Sequence, residues 1–352
     1  MKITVVLPWY DNKYPSGGVL NIYKYIEQLV EYNYQISIIY DCNMGKGKFH
    51  IPNYFSYQKR KYITMSKCGL NNLKNVKEIP VFCVNNHSIP DADYIIATAL
   101  ITVHSVKKLN HEKGRKVYFI QGFENWGKSD SYVYKSYGLG MINIAVSKWL
   151  YDLVELHSKS KTYYLPNAID EDFYSFCDIE IRNPKKIVFM YVPIKSKGTY
   201  DLIDALKIVH KKQPDILIEA FGIYPRCNDL PSFVSYTYNP NRKLLNEIYN
   251  RNAIFVCASW LEGFGLTAGE SMKSGCCLVT TNNKGVLDFA VDGETAFLSE
   301  PKNPDLLAQK IEYVLENNEI RIKVAKRGME SISKFNWKRN VEKIDEIFKG
   351  NL

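Results

Sequence analysis

Apolar positions along the chain follow two alternating patterns. Residues 2–8 form a short apolar run ended by a proline, residues 19–32 carry apolar side chains at helical spacing, and residues 34–40 form a second apolar run. Short unbroken runs are typical of buried strands, whereas a repeat of about three to four residues predicts an amphipathic helix. This strand, helix, strand order is the one that builds a parallel sheet.

The same alternation continues and is then repeated in the second half of the chain. Further elements of the first half are strands at 80–84, 93–97 and 116–120 and helices near 101–110 and 147–157. The second series has strands at Lys185–Tyr191 and near 215–221, 252–257, 276–281 and 296–299, with helices near 199–212, 241–251, 267–275 and 303–317. Turn formers and charges replace periodic apolar residues between 165 and 184, which predicts a join there. The pattern therefore predicts an α/β protein with two doubly wound parallel sheets.

Composition agrees with a globular protein of about two domains. The chain has 352 residues, of which 46% are apolar and 24% charged. No stretch approaches the roughly 20 apolar residues of a membrane span, and the first apolar run is interpreted as a strand rather than a signal peptide. The eight cysteines form no C-x-x-C pair and the six histidines no H-x-x-x-H pair. A cytoplasmic location, reduced thiols and no structural metal are expected.

Positive charge is concentrated in the first half. Residues 1–170 carry 21 basic and 13 acidic residues, against 25 and 24 in the remainder. The stretch from Asp41 to Lys77 has one acid and these eight basic residues: Lys46, Lys48, Lys59, Arg60, Lys61, Lys67, Lys74 and Lys77. Interleaved with them are Tyr54, Phe55, Tyr57 and Tyr62. Such a segment suits an anionic membrane surface or a phosphate-bearing partner, and it also fits a solvated basic loop.

Two glutamates separated by seven residues flank a glycine-rich turn in the second half. Glu262 precedes the turn and Glu270 lies in the helix that follows it. The intervening candidates for ligand contact are Gly263, Phe264, Gly265, Leu266 and Thr267. Glycines allow a close approach of the backbone, and the N–H groups at a helix start suit a phosphate or diphosphate. Spacing alone equally fits a strand–turn–helix joint whose acids favour the helix N-terminus.

This segment resembles the E-x7-E signature of the retaining glycosyltransferases with the GT-B fold (glycosyltransferase family 4, glycosyl transferases group 1). The resemblance implies that Glu262 lies against the donor sugar and that Glu270 accepts hydrogen bonds from ribose hydroxyls. It also implies an α/β fold in which two Rossmann-like domains face a cleft. The nucleotide-sugar is then a substrate, and no cofactor or metal is expected.

Other residues match the family in order along the chain. Gly17 and Gly18, before the first helix, match glycines near the donor diphosphate. Lys197, followed by a glycine, matches a lysine that neutralises this diphosphate, as a cation would. The family usually has an arginine where Val192 stands here, and Lys195 is the predicted substitute. Lys197 also fits an ordinary exposed lysine before a helix.

The loop after the predicted strand at 116–120 departs from the family. Gln121 stands where many members have a histidine that contacts the donor sugar, and glutamine has no titratable proton near neutral pH. Glu124 is a candidate for orienting the acceptor hydroxyl. Equally, Glu124 could cap a helix or pair with a lysine. Both residues are included among the predicted catalytic groups, together with Glu262 and Lys197.

The resemblance also predicts the domain boundaries. The string Pro166-Asn167-Ala168-Ile169-Asp170, followed by Phe173, resembles the interdomain segment of the family. The predicted domains are 1–172 for the acceptor, 173–334 for the nucleotide-sugar donor, and a helix in 335–352 that crosses back to the N-terminal domain. Residues 335–337, Phe-Asn-Trp, precede that helix.

The implied function is the transfer of a hexosyl or deoxyhexosyl group to a glycan or lipid-linked glycan. The transfer would retain the anomeric configuration and need no metal. Its expected role is surface polysaccharide biosynthesis, such as that of a capsule or O-antigen. The basic segment 41–77 would then contact the inner face of the membrane. Three alternatives remain open: a nucleotide-sugar 2-epimerase of the same fold, a non-catalytic glycan- or membrane-binding relative, and a nucleic-acid binder. The last is disfavoured because no zinc-finger or RNP-type motif is present.

Overall fold

A computed structural model describes residues 1–9, 17–43, 51–67 and 73–350, without the side chains of 51–53 and 65–67. It divides into two compact units. Unit 1 comprises Met1–Pro166 and Lys338–Leu352, and unit 2 comprises Asn167–Trp337. Each unit has its own parallel sheet. The predicted fold class, two Rossmann-like α/β domains, is confirmed.

Unit 1 contains a seven-stranded sheet in the order β3-β2-β1-β4-β5-β6-β7. Its strands are β1 (Lys2–Pro8), β2 (Gln35–Asp41), β3 (Val76–Val81), β4 (Tyr94–Ala97), β5 (Arg115–Ile120), β6 (Ile142–Ala145) and β7 (Thr162–Tyr164). Its helices are α1 (Gly17–Glu31), α2 (Ile51–Lys67), α3 (Leu100–Lys107), α4 (Asp130–Tyr137) and α5 (Lys148–His157). In the centre, Val5 of β1 is in register with Ile38 and Ile96 on its two sides.

Unit 2 contains a six-stranded sheet in the order β10-β9-β8-β11-β12-β13. Its strands are β8 (Lys186–Met190), β9 (Leu217–Gly222), β10 (Val234–Tyr238), β11 (Ile254–Cys257), β12 (Cys277–Thr281) and β13 (Phe297–Ser299). Its helices are α6 (Thr199–Lys212), α7 (Arg242–Arg251), α8 (Leu266–Lys273), α9 (Pro304–Glu316) and α10 (Asn318–Ile332). All strand pairs in both sheets are parallel, so the strand carboxyl ends share one edge.

The last helix, α11 (Trp337–Lys349), packs on unit 1. Its buried residues are Val341, Ile344, Ile347 and Phe348. Polar contacts reinforce this packing: the Asn340 amide donates to the Tyr25 hydroxyl at 2.8 Å, and Tyr94 donates to the Phe348 carbonyl at 2.7 Å. Because its apolar side chains are buried, the helix contributes to the core of unit 1.

Two boundaries differ from the prediction. The units divide after Pro166, earlier than 172, because Asp170 pairs with Arg242 at 2.9 Å and the Phe173 ring packs 5.9 Å from Tyr249, both in unit 2. At the other end, Phe335 packs on Phe264 of unit 2, so this unit extends to Trp337.

Candidate functional site

The segment between β11 and α8 forms a glycine-rich bend at the carboxyl edge of the unit 2 sheet. Gly265, immediately before α8, has a φ of 95°, a conformation that favours glycine. A Cβ atom there would also lie 2.9 Å from Cγ1 of Val286. The first N–H groups of a helix have no acceptor within that helix. The bend therefore presents backbone donors and the positive end of α8 at the sheet edge, where an anion is favoured.

Only some of the predicted turn residues present a side chain at this edge. Phe264 is buried, and its ring packs 5.3 Å from Phe289 and 5.5 Å from Phe335. Its side chain therefore anchors the bend in the core of unit 2. Leu266 and Thr267 are partly buried in the first turn of α8, and Gly263 is partly buried in the bend. A ligand at this bend would meet backbone more than side chains.

Lys197 and Glu262 form an ion pair beside the bend. The lysine Nζ lies 2.7 Å from Oε1 and 2.9 Å from Oε2 of Glu262, and the glutamate side chain is only 17% exposed. Burial lowers the pKa of Lys197, but the charge of Glu262 and its hydrogen bonds outweigh this effect and leave the pKa raised. The lysine therefore remains a cation at neutral pH.

Gly198 explains why Lys197 reaches this position. The glycine has a φ of 62°, and a Cβ there would lie 1.8 Å from the carbonyl oxygen of Ala258, just after β11. The chain can therefore cross closely over the end of β11 only with glycine at 198. This crossing places Lys197 next to the loop that carries Glu262.

Glu270 lies in the second turn of α8. Tyr249 of α7 donates a long hydrogen bond of 3.4 Å to its Oε2. Burial raises the pKa of Glu270 to about 7, and the nearby Arg242 opposes this rise. Arg242 is itself held by Asp170 and Asp172 at 2.9 and 3.1 Å. Sequence reasoning did not identify Tyr249 or Arg242, because both come from α7 and no local motif marks them.

Lys195 lies beside Trp260. Its Nζ lies 5.7 Å from the centre of the Trp260 ring, and Nζ of Lys302 lies 4.4 Å from the same ring. Trp260 is fixed by a 2.6 Å hydrogen bond from its indole N–H to Asp201. Lys195 is therefore a neighbour of Trp260, and the structure pairs Lys197 rather than Lys195 with Glu262.

Unit 1 brings three of the predicted residues together. Gly17 and Gly18 are the first residues of α1. A Cβ at Gly18 would lie 3.1 Å from Oε1 of Gln121, which follows β5. This Oε1 is buried and has no hydrogen-bond partner among the described residues. Gln121 therefore packs against the first turn of α1.

Glu124 caps a helix, one of the alternatives that the sequence left open. Its Oε2 accepts a 2.5 Å hydrogen bond from the backbone N–H of Leu100, the first residue of α3. Burial raises the pKa of Glu124 to about 7, although this hydrogen bond lowers it in part. The carboxylate is fixed in position and titrates close to neutral pH.

The basic segment is only partly described, since Lys46, Lys48 and the Lys67 side chain fall outside the described residues. Within α2, Arg60 donates to the Cys42 carbonyl at 2.6 Å, and its guanidinium lies 4.8 Å from the Trp9 ring centre. Phe55 and Tyr62 are 69% and 74% exposed, and Lys59 is also exposed. Arg60 thus has a structural role, whereas these three residues face outward.

Asp-x-Asp sequences occur twice, and neither forms a metal-type cluster. Asp91 pairs with Lys113 and Asp93 accepts from the Lys2 backbone, while Asp170 and Asp172 hold Arg242. Within the described residues there is no group of three or more potential metal ligands. Over the same residues, none of the helices has both the length and the apolar character needed to cross a bilayer.

The fold is that of the GT-B class. Anabaena Alr3699/HepE, solved in complex with UDP-glucose, superposes with a TM-score of 0.72 at 15% identity and covers 99% of this chain and 100% of that one. The model of the glycosyl transferases group 1 family matches residues 178–331, which lie in unit 2. This match confirms the resemblance to glycosyl transferases group 1.

Curated relatives of this chain are also named as glycosyltransferases. The capsular polysaccharide biosynthesis glycosyltransferase CapM of Staphylococcus aureus is 27% identical over 164 residues, which is 44% of this chain and 43% of CapM. The uncharacterized glycosyltransferase MJ1178 of Methanocaldococcus jannaschii is 27% identical over 214 residues, 58% of each protein. The chain spans about half the length of these relatives in the matched regions.

Proposed function

We propose that this protein is a glycosyltransferase that takes a sugar from a nucleotide-sugar and attaches it, with retention of anomeric configuration, to a hydroxyl of a glycan or lipid-linked glycan. The observation that carries the proposal is the Lys197–Glu262 pair beside the glycine bend that opens α8. The Lys197 cation, the backbone donors of the bend and the N-terminus of α8 all favour a diphosphate. Relatives named as glycosyltransferases support the same activity.

The chemistry of this site is electrostatic. When the bond between sugar and diphosphate breaks, negative charge grows on the leaving oxygen. Lys197 is already charged and held in place, so it stabilises that charge without rearrangement. Glu262, next to it, would accept a hydrogen bond from a donor-sugar hydroxyl, and Glu270 would accept from the ribose, as the resemblance implies. Retention follows if the leaving diphosphate takes the acceptor proton on the same face.

Metal independence can be tested by chelation. Because Lys197 and the start of α8 would carry the charge that a divalent ion carries elsewhere, transfer in EDTA should equal transfer in MgCl2. The assay is product formation from each nucleotide-sugar with a panel of simple glycosides as acceptors. A loss of activity in EDTA that Mg²⁺ restores would contradict metal independence and leave the transferase proposal intact.

Membrane contact through α2 is a second part of the proposal. It is supported by the outward-facing Phe55, Lys59 and Tyr62. Changing Lys59 and Lys61 to glutamate should weaken sedimentation with phosphatidylglycerol vesicles at least tenfold, since each lysine near an anionic surface contributes about 1 kcal/mol. Arg60 is left unchanged because it holds the Cys42 carbonyl.

A matched variant with Lys211 and Lys323 changed to glutamate controls for net charge, since both are exposed residues of unit 2. It should sediment nearly as the wild type does. Equal losses in both double variants would mean that only net charge matters and that α2 is no docking face.

An epimerase of the same fold would convert the donor without any acceptor. Chromatography of nucleotide-sugars after incubation with the protein alone separates the two activities. A changed sugar still attached to its nucleotide would favour the epimerase, whereas a glycoside formed only when an acceptor is added supports transfer. A relative that binds glycans without turnover would give neither product.

A further inference from the structure

The loop after β12, residues 282–285, contains a strained backbone turn. Lys284 has a φ of 65° and a ψ of −46°. The Gly285 N–H donates to the Asn283 carbonyl at 2.8 Å, which closes a three-residue turn around the lysine. A γ-turn whose central residue has a positive φ is the rare and strained form. Glycine is the residue that such a position favours, and a lysine occupies it here.

The residues on both sides of Lys284 contact Glu262. The Asn283 carbonyl accepts a hydrogen bond of 2.9 Å from the Glu262 N–H. A Cβ built on Gly285 would lie 2.7 Å from the carbonyl oxygen of Glu262 and 2.9 Å from its Cβ. Lys284 is therefore held at the same edge of the sheet as the Lys197–Glu262 pair.

The interior of unit 2 fixes the turn. Asn283 is fully buried, its Oδ1 accepts from the Val286 N–H at 3.2 Å, and its amide donates to Thr280 at 3.4 Å. The Lys284 side chain is exposed. Unfavourable backbone conformations persist where the surrounding structure holds them, and they cluster at ligand sites. A lysine also has a long flexible stem, so its ammonium can reach a ligand that lies beside Glu262.

The charge balance of the candidate site favours a second cation. Lys197 and Glu262 are paired, so their charges cancel. The start of α8 contributes only about half an elementary charge. Each phosphate group of a diphosphate is negatively charged, and this charge grows as the bond to the sugar breaks. The pair and the helix therefore balance only part of the charge on a diphosphate.

We propose that Lys284 is a second cation of the donor site, held by the γ-turn so that its ammonium contacts the diphosphate of the nucleotide-sugar. The inference rests on the proposed glycosyltransferase function. It gives the strained turn a role in binding, since the ligand gains a charged contact that a glycine at this position could not supply.

Lys284→Gly tests this role, because it removes the ammonium and suits the backbone of the turn. The variant should melt no lower than the wild type. Its Kd for nucleoside diphosphates should nevertheless rise roughly 3- to 30-fold, a range set by one charged hydrogen bond at an exposed side chain. Titration calorimetry with UDP, GDP and dTDP measures this change. Lys284→Arg keeps the charge and should retain most of the affinity.

The salt dependence of the same binding is a readout that a purely structural role would not change. NaCl screens the attraction between charges, so added salt should weaken binding less in Lys284→Gly than in the wild type. Lys284→Gln, which keeps a side chain but not the charge, should behave as Lys284→Gly does.

Lys302→Gly is the matched control. Lys302 is a second lysine of unit 2 with a positive φ, 62°, and it lies beside Trp260 instead of Glu262. The control therefore makes the same change of charge and of residue type away from the proposed contact. It should bind the nucleotides, and respond to salt, as the wild type does.

Equal affinity and equal salt dependence in the wild type and Lys284→Gly would overturn the role of Lys284. Equal losses in Lys284→Gly and Lys302→Gly would also overturn it, because only net charge would then matter. Glu270→Ala in the same series keeps the two hypotheses apart. If it weakens binding while the Lys284 variants do not, only the role of Lys284 fails. If no nucleoside diphosphate binds the wild type, the transferase proposal fails as well.

Discussion

Lys197→Ala is expected to lower kcat for sugar transfer roughly 100- to 1000-fold, the usual effect of removing one group that stabilises charge in a transition state. Lys197 is charged, partly buried and 2.7 Å from Glu262. Its loss removes a side-chain cation that the structure places on this glutamate. KM for the donor should change less than kcat, because charge on the diphosphate increases as the bond breaks. Steady-state kinetics of product formation measure both constants.

The same substitution removes one partner of Glu262, and this alone could disturb the loop. The double variant Lys197→Ala with Glu262→Gln separates the two effects, because it removes both charges together. If Lys197 acts on the diphosphate, the double variant remains as slow as the single one. Recovery of kcat to near the wild-type value would mean that Lys197 only neutralises Glu262. Lys207→Ala, at an exposed position of α6 in the same unit, serves as the control.

Glu270→Ala is expected to weaken nucleotide diphosphate binding by about 1 to 3 kcal/mol, roughly 5- to 150-fold in Kd. A buried carboxylate that accepts from ribose hydroxyls would lose those bonds, and Tyr249 would lose its acceptor as well. Titration calorimetry with the nucleotide gives the affinity directly. Unchanged affinity would remove Glu270 from the donor site.

The pH dependence of the same binding gives an independent check. Because the pKa of Glu270 is raised to about 7 in the folded protein, the group is ionised above that pH and becomes protonated below it. The ionised form accepts more hydrogen bonds than the protonated one, so affinity should decrease as the pH falls through about 7. In Glu270→Gln the nucleotide affinity should decrease less as the pH falls, because only protonation of the phosphate still contributes. Parallel pH profiles for the two proteins would contradict the role of Glu270.

Protonation of Glu270 also affects stability, with a defined sign. The folded pKa lies above the usual value of 4.5, so the native state binds more protons than the unfolded state between these values. The free energy of unfolding then decreases as the pH rises from about 4.5 to about 7. Burial raises the pKa of Glu124 to about 7 as well. Glu270→Gln and Glu124→Gln should therefore each weaken the pH dependence of the free energy of unfolding between about pH 4.5 and 7.

Most interior strands could be predicted from sequence, whereas the interior strand β6 (Ile142–Ala145) and some edge strands were missed. β1, β8 and β11 are buried on both faces and form unbroken apolar runs, which periodicity detects. β10 is an edge strand with a half-polar sequence and was missed. The strand expected at 80–84 is instead β3 (Val76–Val81), which pairs with β2 alone. Pro80 is tolerated there because an edge strand needs fewer backbone donors.

The backbone of the candidate site was also predictable, because its glycines are local features. Gly198 and Gly265 both adopt the left-handed φ that favours glycine. The partners of the predicted side chains were not predictable, since they depend on packing between distant segments. Tyr249 meets Glu270 across two helices, and the Leu100 N–H meets Glu124 at the start of α3. Lys197 and Glu262 were both predicted, and their side chains are in contact.

Nucleotide binding at the start of α8 is tested most directly by thermal unfolding of the wild type and Glu270→Gln with UDP, GDP, dTDP and CMP. A ligand that binds only the native state raises the melting temperature by mass action. The expected result is a clear rise with one nucleotide series in the wild type and a smaller rise in the variant. No rise with any nucleotide, or an equal rise in both proteins, would contradict a donor site built on Glu262 and Glu270.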